Sequence, residues 1–202
     1  MISASEALDR LREGNQRFVA NVRGVESLIR RPADLAEGQE PFAIIFGCSD
    51  SRVPAEIVFD QGLCDLFVIR VAGNIVAPSL VGSVEFAAAR FGTPLVVVLG
   101  HSRCGAIQAT LEELNRPGQT PSRNLRSIVE RVRPSVEPLL KTDLARDLEA
   151  LARTAVRANV KVSVDHLRHG SEILEGLVRS GGFRVVGAEY SLETGVVDFF
   201  DA

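Results

Sequence analysis

The chain has 202 residues, 46% of them apolar and 24% charged, which fits one soluble globular domain and excludes a disordered or collagen-like chain. Its 23 Lys and Arg against 26 Asp and Glu leave a formal charge of −3, so no net electrostatic attraction points to a nucleic acid or an anionic membrane as partner. The local basic stretches are Arg30-Arg31 and a scatter from Arg116 to Arg133, and the latter reads as a solvated helix face because acidic and apolar residues interleave it.

The opening Met1-Ile-Ser-Ala-Ser-Glu-Ala-Leu-Asp-Arg is charged and amphipathic, without the apolar core of about 7–15 residues that an export signal needs; a cytoplasmic location is the expectation. The longest apolar stretches, Pro41 to Cys48 and Pro94 to Gly100, fall far short of the ~20 residues needed to cross a bilayer. Three cysteines in a reducing compartment are expected as thiols or metal ligands, not as a disulfide framework.

In chain order, Ser3 to Val22 carries Ala7, Leu8, Leu11, Phe18, Val19 and Val22 at near-helical spacing, with Ser5 as the expected cap. A polar stretch from Gly24 to Pro41 leads into Phe42-Ala-Ile-Ile-Phe-Gly47, a short continuous apolar run that reads as a buried strand. Leu66 to Val71 and Leu95 to Gly100 repeat the pattern, and the helix-forming stretch Ser79 to Phe91 between them makes the pair parallel. Helices are predicted from Cys104 to about Asn115, from Ser122 to Lys141, from Asp143 to His169 and from Ser171 to Val178, with Pro134 and Pro138 kinking or breaking the second. Phe183 to Ala188 and Gly195 to Phe200 are the remaining strands. No linker, repeat or low-complexity tract divides the sequence. The expectation is a single α/β domain over 1–202, a mostly parallel central sheet flanked by helices, with residues 1–23 as an N-terminal helical arm.

Two segments carry the chemistry. Cys48-Ser-Asp-Ser-Arg52 follows the first buried strand directly, and His101-Ser-Arg-Cys-Gly105 follows the third. Loops at the carboxyl ends of strands in an open α/β sheet line one crevice, so these residues are expected to converge. Cys48, His101 and Cys104 offer two thiolates and an imidazole, a donor set that suits Zn²⁺, with Asp50 as a fourth ligand or a neighbour. Three protein ligands leave one tetrahedral position for water, whose pKa zinc lowers to about 7. The bland alternatives are buried thiols and a core histidine, or a structural zinc closed by Asp50. Asp50 and Arg52, two apart in one turn, suit a charge-assisted pair that keeps the carboxylate ionised, or else an ordinary surface ion pair. A nucleophilic cysteine in a phosphate-cradling loop is poorly supported: Cys48 reaches Arg52 after only three intervening residues, and the stretch after Cys104 carries no Arg. His166 and His169, one turn apart on a helix, read as surface residues, and Glu56 as a helix-start carboxylate that is either exposed or bracing the dyad's turn.

At these residues the sequence resembles the β-class carbonic anhydrases, through Cys48-Ser-Asp-Ser-Arg-Val-Pro-Ala-Glu56, Asp65-Leu-Phe-Val-Ile-Arg-Val-Ala-Gly-Asn74 and Gly100-His-Ser-Arg-Cys-Gly105. Matching features run from Glu13-Gly-Asn-Gln-Arg-Phe18 to Gly187. The resemblance implies Zn²⁺ held by Cys48, His101 and Cys104. It implies an Asp50–Arg52 dyad in which Asp50 either pairs with Arg52, the open state, or closes the metal, and reversible CO₂ hydration to bicarbonate and a proton by zinc-bound hydroxide. It further implies a small apolar pocket at a dimer interface, mapping onto Phe67, Ala72 and Phe86, with Gln39 as a bicarbonate donor, and a homodimer or dimer of dimers. The backbone N–H of Gly105, at a helix start, also suits the anion. The rival functions are a carbonyl sulfide or carbon disulfide hydrolase with the same zinc set, and a non-catalytic zinc or redox-sensing module.

Four positions depart from the family pattern. Cys64 stands where Gly is expected, which threatens a turn needing positive φ or adds a thiol away from the metal. Phe86 replaces a commoner Tyr, Val71 stands where many relatives carry Asn, and Ile45 is not the Trp that helps form a non-catalytic bicarbonate site in some bacterial members, although Arg70 and Tyr190 match its other two residues.

Overall fold

The computed structural model describes residues 2–22, 35–118 and 122–200; Arg30-Arg31 and the start of the polar stretch before Pro41 lie outside them. The elements in chain order are α1 (Ala4–Val19), β1 (Ala43–Gly47), α2 (Ala55–Val58), β2 (Leu66–Arg70), α3 (Pro78–Phe91), β3 (Leu95–His101), α4 (Gly105–Asn115), α5 (Arg123–Val136), α6 (Leu148–His169), α7 (Glu172–Arg179), β4 (Arg184–Tyr190) and β5 (Val197–Phe200). The strands form one sheet in the order β2-β1-β3-β4-β5. The first four run parallel and β5 lies antiparallel on β4. This is the expected mostly parallel sheet with helices on its faces.

The apolar runs become strands because both faces of the sheet are covered. Side chains alternate across the pleat. Ala43, Ile45, Leu95, Val97 and Leu99 pack on one face with Ala7, Leu8 and Leu11 of α1. Ile44, Phe46, Val96 and Val98 pack on the other with Val84 of α3, Val160, Val164 and Leu167 of α6 and Leu174 of α7. Gly100 lets α6 approach β3 closely, since a β-carbon there would stand 2.6 Å from a methyl of Val160. A third apolar cluster, formed by α4, α5 and α6, closes around Cys48 and Cys104 at the carboxyl end of the strands.

Several sequence expectations shift in detail. Ser3, not Ser5, caps α1: its hydroxyl accepts from the Glu6 N–H at 3.2 Å while the Glu6 carboxylate accepts from the Ser3 N–H at 2.7 Å, a reciprocal capping box that needs the carboxylate at the third helical position. Pro134 sits inside α5, which gives way to a 3₁₀ turn, Glu137–Lys141, only after Val136. A second 3₁₀ turn, Asp143–Arg146, precedes α6, whose cap is Asp147. His166 and His169 are exposed, and His169 lies 3.7 Å from Asp165.

The N-terminal helical arm packs on its own chain's sheet. Asn15, 5% exposed, donates to the carbonyls of Val58 and Gly195 and accepts from the Val197 N–H, and Arg17 pairs with Asp60 at 2.6 Å. Polar groups buried with full partners fix α1 on its own sheet.

Candidate metal centre

β1 and β3 are adjacent and parallel, so the loops that leave their carboxyl ends open on one crevice. There the donor atoms of Cys48, His101 and Cys104, all buried, lie within 4.8 Å of one another. Cys48 stands one residue beyond β1, His101 is the last residue of β3, and Cys104 is the residue before α4. Sequence separation of more than fifty residues is thus erased by one strand pairing.

The donor chemistry fits a soft divalent cation. His101 Nδ1 lies 2.9 Å from the Ser102 carbonyl, which selects the tautomer that leaves the Nε2 lone pair free. Nε2 is fully buried and has no hydrogen-bond partner among the described residues, an expense a buried polar atom normally avoids. The Cys48 thiol is held well below its ordinary value by the adjoining Cys104 thiol, by the nearby His101 imidazole and by the Gly73 N–H at 3.4 Å. Cys104 is pushed upward by the adjoining Cys48 sulfur and by burial. Burial opposes a proton on His101, but the Cys48 sulfur outweighs it and raises the imidazole. Two thiols this close in a dry pocket cannot both ionise without a positive charge between them. A soft divalent cation with a preference for sulfur and nitrogen donors, such as Zn²⁺, would supply that charge.

Asp50 is not part of the donor group. Its carboxylate accepts from Arg52 Nε at 2.9 Å, Arg52 Nη2 at 2.7 Å and the Arg52 N–H at 3.0 Å, and its Oδ2 stands 3.9 Å from His101 Nε2. The Arg52 contacts hold the carboxyl far below the usual carboxylate range, so it is ionised. Of the two dispositions foreseen for Asp50, the structure adopts the one paired with Arg52. Glu56 is exposed in the first turn of α2.

Three residues hold the two loops: Gly73 and Glu193, which sequence reasoning did not assign, and Arg70, which it matched only to a non-catalytic bicarbonate site. Arg70, at the end of β2, donates to the Cys48 carbonyl at 2.9 Å and to the Asp50 carbonyl at 2.5 Å. It is therefore committed to the site, while Ile45 is fully buried and Tyr190 packs against Phe18. Gly73 takes φ +73° in a 3₁₀ turn, Ala72–Asn74, and a β-carbon there would stand 2.9 Å from that of Ala106; only glycine holds this N–H against the Cys48 sulfur without strain. On the other loop, Glu193 accepts from the Ser102 hydroxyl at 2.7 Å and from Arg103 at 2.7 Å. Arg70 carried a readable signal, a charge at a strand's carboxyl end. The others depend on turns and docking that no local pattern encodes.

The expected substrate residues scatter. Ala72 is half-buried in the turn beside Cys48, and Gly105 opens α4 with free space around its Cα. Phe67 is half-buried on the edge strand β2. Phe86 is 54% exposed, and the two rings stand 6.3 Å apart, with Phe91 against both. Plain core packing does not describe Phe86. Gln39 lies before β1, at the amino end of the sheet, in a cleft of about 870 Å³ with Arg10, Asp65 and Arg90; Cys104 lines a different cleft of about 740 Å³ between α4 and α6. At about 3.3 Å per residue the strand separates Gln39 from the metal group of its own chain. Cys64 keeps φ +70°, so the turn survives the loss of glycine, and its sulfur lies 3.9 Å from the Gly38 carbonyl, outside the donor group.

The family model for carbonic anhydrase matches residues 43–197, a span holding the whole Cys-His-Cys group. The chain belongs to the β-class carbonic anhydrases. It is 42% identical to carbonic anhydrase 2 of Mycobacterium tuberculosis over 186 residues, which cover 92% of this chain and 87% of that protein. It is equally identical to a carbonic anhydrase of Mycolicibacterium smegmatis over 193 residues, 93% and 89% of the two chains. Among solved structures, the β-carbonic anhydrase CafA of Aspergillus fumigatus superposes with a TM-score of 0.74 at 27% identity, covering 84% of this chain and 79% of that one. The β-carbonic anhydrase CcaA gives 0.76 at 25%, covering 96% and 95%. The chain is thus an enzyme of the carbonic anhydrase family, whose general reaction is CO₂ hydration. Among the described residues no helix is long and apolar enough to cross a membrane.

Proposed function

We propose that this chain hydrates CO₂ reversibly to bicarbonate and a proton at a Zn²⁺ held by Cys48, His101 and Cys104, with Asp50 and Arg52 as the catalytic dyad. The observation that carries the reading is the buried, partnerless His101 Nε2 facing two thiols within 4.8 Å. Bound there, Zn²⁺ would acidify water enough to supply a hydroxide nucleophile near neutral pH.

The chain's own groups do the rest. Arg52 fixes both Asp50 oxygens, so the carboxylate presents lone pairs and accepts a hydrogen bond from the nucleophile's proton, which orients the attacking oxygen. Because Arg52 keeps that carboxyl ionised, Asp50 Oδ2 serves as an acceptor and does not retain the proton that hydration releases. Ala72 and the Gly105 N–H border the sulfur ligands and suit the apolar substrate and its anionic product respectively. Gln39, Phe67 and Phe86 join them only if a second copy completes the pocket. The exposed Phe86 with Phe67 and Phe91 at the β2 edge supports a homodimer or dimer of dimers, and the solved β-carbonic anhydrases of Sordaria macrospora are described as tetrameric. Three free thiols suit a cytoplasmic location.

The test is stopped-flow CO₂ hydration with parallel zinc quantification from about pH 6.5 to 9. The expected result is close to one Zn²⁺ per chain and activity that rises with pH and is lost to a chelator. Stoichiometric zinc without hydration at any pH overturns the reading, and turnover of carbonyl sulfide or carbon disulfide alone redirects it to the sulfur substrates. Sedimentation showing a stable, active monomer overturns the dimer.

A further inference from the structure

The longest helix of the second sheet face, α6, reaches into the metal centre without contributing a ligand. Asn159, 2% exposed, donates through Nδ2 to the Gly73 carbonyl at 2.8 Å. One turn later Ser163, 3% exposed, donates through Oγ to the Asn74 carbonyl at 3.0 Å. The same spacing that stacks side chains on one helix face thus grips two consecutive carbonyls of one turn. That turn is costly: Gly73 and Asn74 both have positive φ, +73° and +42°, and the Asn74 side-chain Nδ2 is buried with no partner among the described residues. A conformation of this kind persists only where its surroundings over-determine it. Its product is the Gly73 N–H held 3.4 Å from the Cys48 sulfur.

Resting on the zinc reading above, we propose that Asn159 and Ser163 are positioning residues for the metal. They lock the Ala72–Asn74 turn so that the Gly73 N–H stays on the Cys48 sulfur, which sets how strongly that sulfur donates to the cation. Hydrogen bonds to a ligating atom tune both affinity and the metal's electron demand.

The experiment compares wild type, Asn159→Leu, Ser163→Ala and Val164→Ala. The readouts are Zn²⁺ affinity by chelator competition and the thiolate-to-metal charge-transfer band of the Co²⁺-loaded protein. Val164 is buried on the same helix against the sheet and controls for a purely structural loss. Asn159→Leu is expected to weaken Zn²⁺ by about 10–100-fold and to move the Co²⁺ band, Ser163→Ala to do both to a smaller degree, and Val164→Ala to lower the melting temperature with the band unchanged. Ser163→Ala carries the test if Asn159→Leu does not fold. Wild-type affinity and band in the Asn159 and Ser163 variants, or an equal shift in Val164→Ala, overturns the proposal. A wild-type chain that binds neither ion overturns the zinc reading and this proposal with it, a result distinct from loaded variants with unchanged bands.

Discussion

The two loops that supply the metal donors are held in opposite ways. The Cys48–Arg52 loop is fastened from inside by the buried Gly73 N–H on its sulfur, with the exposed Arg70 adding bonds to its carbonyls from the rim. The His101–Cys104 loop is fastened at the surface, by Glu193 on Ser102 and Arg103, with the Arg103 side chain 74% exposed. The difference lies in what each loop meets, not in how central its strand is: β1 and β3 are both interior strands. The Cys48 loop meets the Ala72–Asn74 turn, which α6 backs, and the His101–Cys104 loop meets the turn between β4 and β5. Interior anchors work in low dielectric, where a hydrogen bond is strong and a missing one is costly. Surface anchors compete with water and salt.

The donors themselves ignore this asymmetry, so the largest effect comes from removing either sulfur. Cys48→Ser and Cys104→Ser are each expected to lose more than about 100-fold in metal affinity, beyond what a supporting partner costs. A chelator applied to the wild type should lower its melting temperature, because a ligand bound to the folded state alone stabilises it. Zinc content after dialysis and calorimetry check both. A Cys104 variant that keeps stoichiometric metal breaks the three-donor arrangement.

Next in size is Arg70→Met, which keeps the apolar stem and deletes both guanidinium bonds to the Cys48 loop. Hydrogen bonds from a charged donor each contribute about 1.5–3 kcal/mol, and because Arg70 is exposed screening by water brings the expected loss to about 1 kcal/mol, measured by urea unfolding. Hydration should fall as well, since the Asp50 carbonyl is one of the two bonds lost. A stability change confined to a few tenths of a kcal/mol would show that the Cys48 loop is held by its sulfur alone.

These contrasts mark where the sequence speaks and where it stays silent. The apolar runs of β1 and β3 are legible because each strand is covered on both faces, and the donors are legible because they sit one to four residues past those runs. Cap chemistry was half legible: serines flank the start of α1, but only Ser3 has a glutamate at the position that closes the box. Asn159 and Ser163 are silent for a physical reason. In the pattern of α6 they look like polar interruptions of an apolar face, and only the docking of that helix against residues 72–74 gives them partners. Gln39 shows the converse. Its motif points to the substrate, yet its place at the amino end of the sheet puts it out of reach of its own chain's donors, which no linear spacing reveals.

The smallest effect expected tests the surface anchor through pH. Hydrogen bonds from Ser102, from its own backbone N–H and from Ser191, together with the Arg103 charge, lower the Glu193 carboxyl from its ordinary value of 4.5. A folded-state value below the unfolded one means that the unfolded chain binds the proton first, so the anchor stabilises the fold above about pH 4.5 and its contribution disappears as pH falls through the lowered value. Glu193→Gln should therefore be modestly less stable than wild type at pH 7, converge with it in the acid range, and lose most of its difference in high salt. The same variant should leave metal affinity within a few-fold of wild type, because the His101–Cys104 loop is also held by β3 and by the start of α4. Denaturation midpoints at pH 7 and at about pH 2.5, well below the ordinary carboxyl value, each in low and high salt, measure the difference. A gap between the two proteins that persists at acid pH would mean that Glu193 holds the loop through hydrogen bonds its neutral form also makes, and the contrast between an electrostatic outer anchor and a buried inner one would fall.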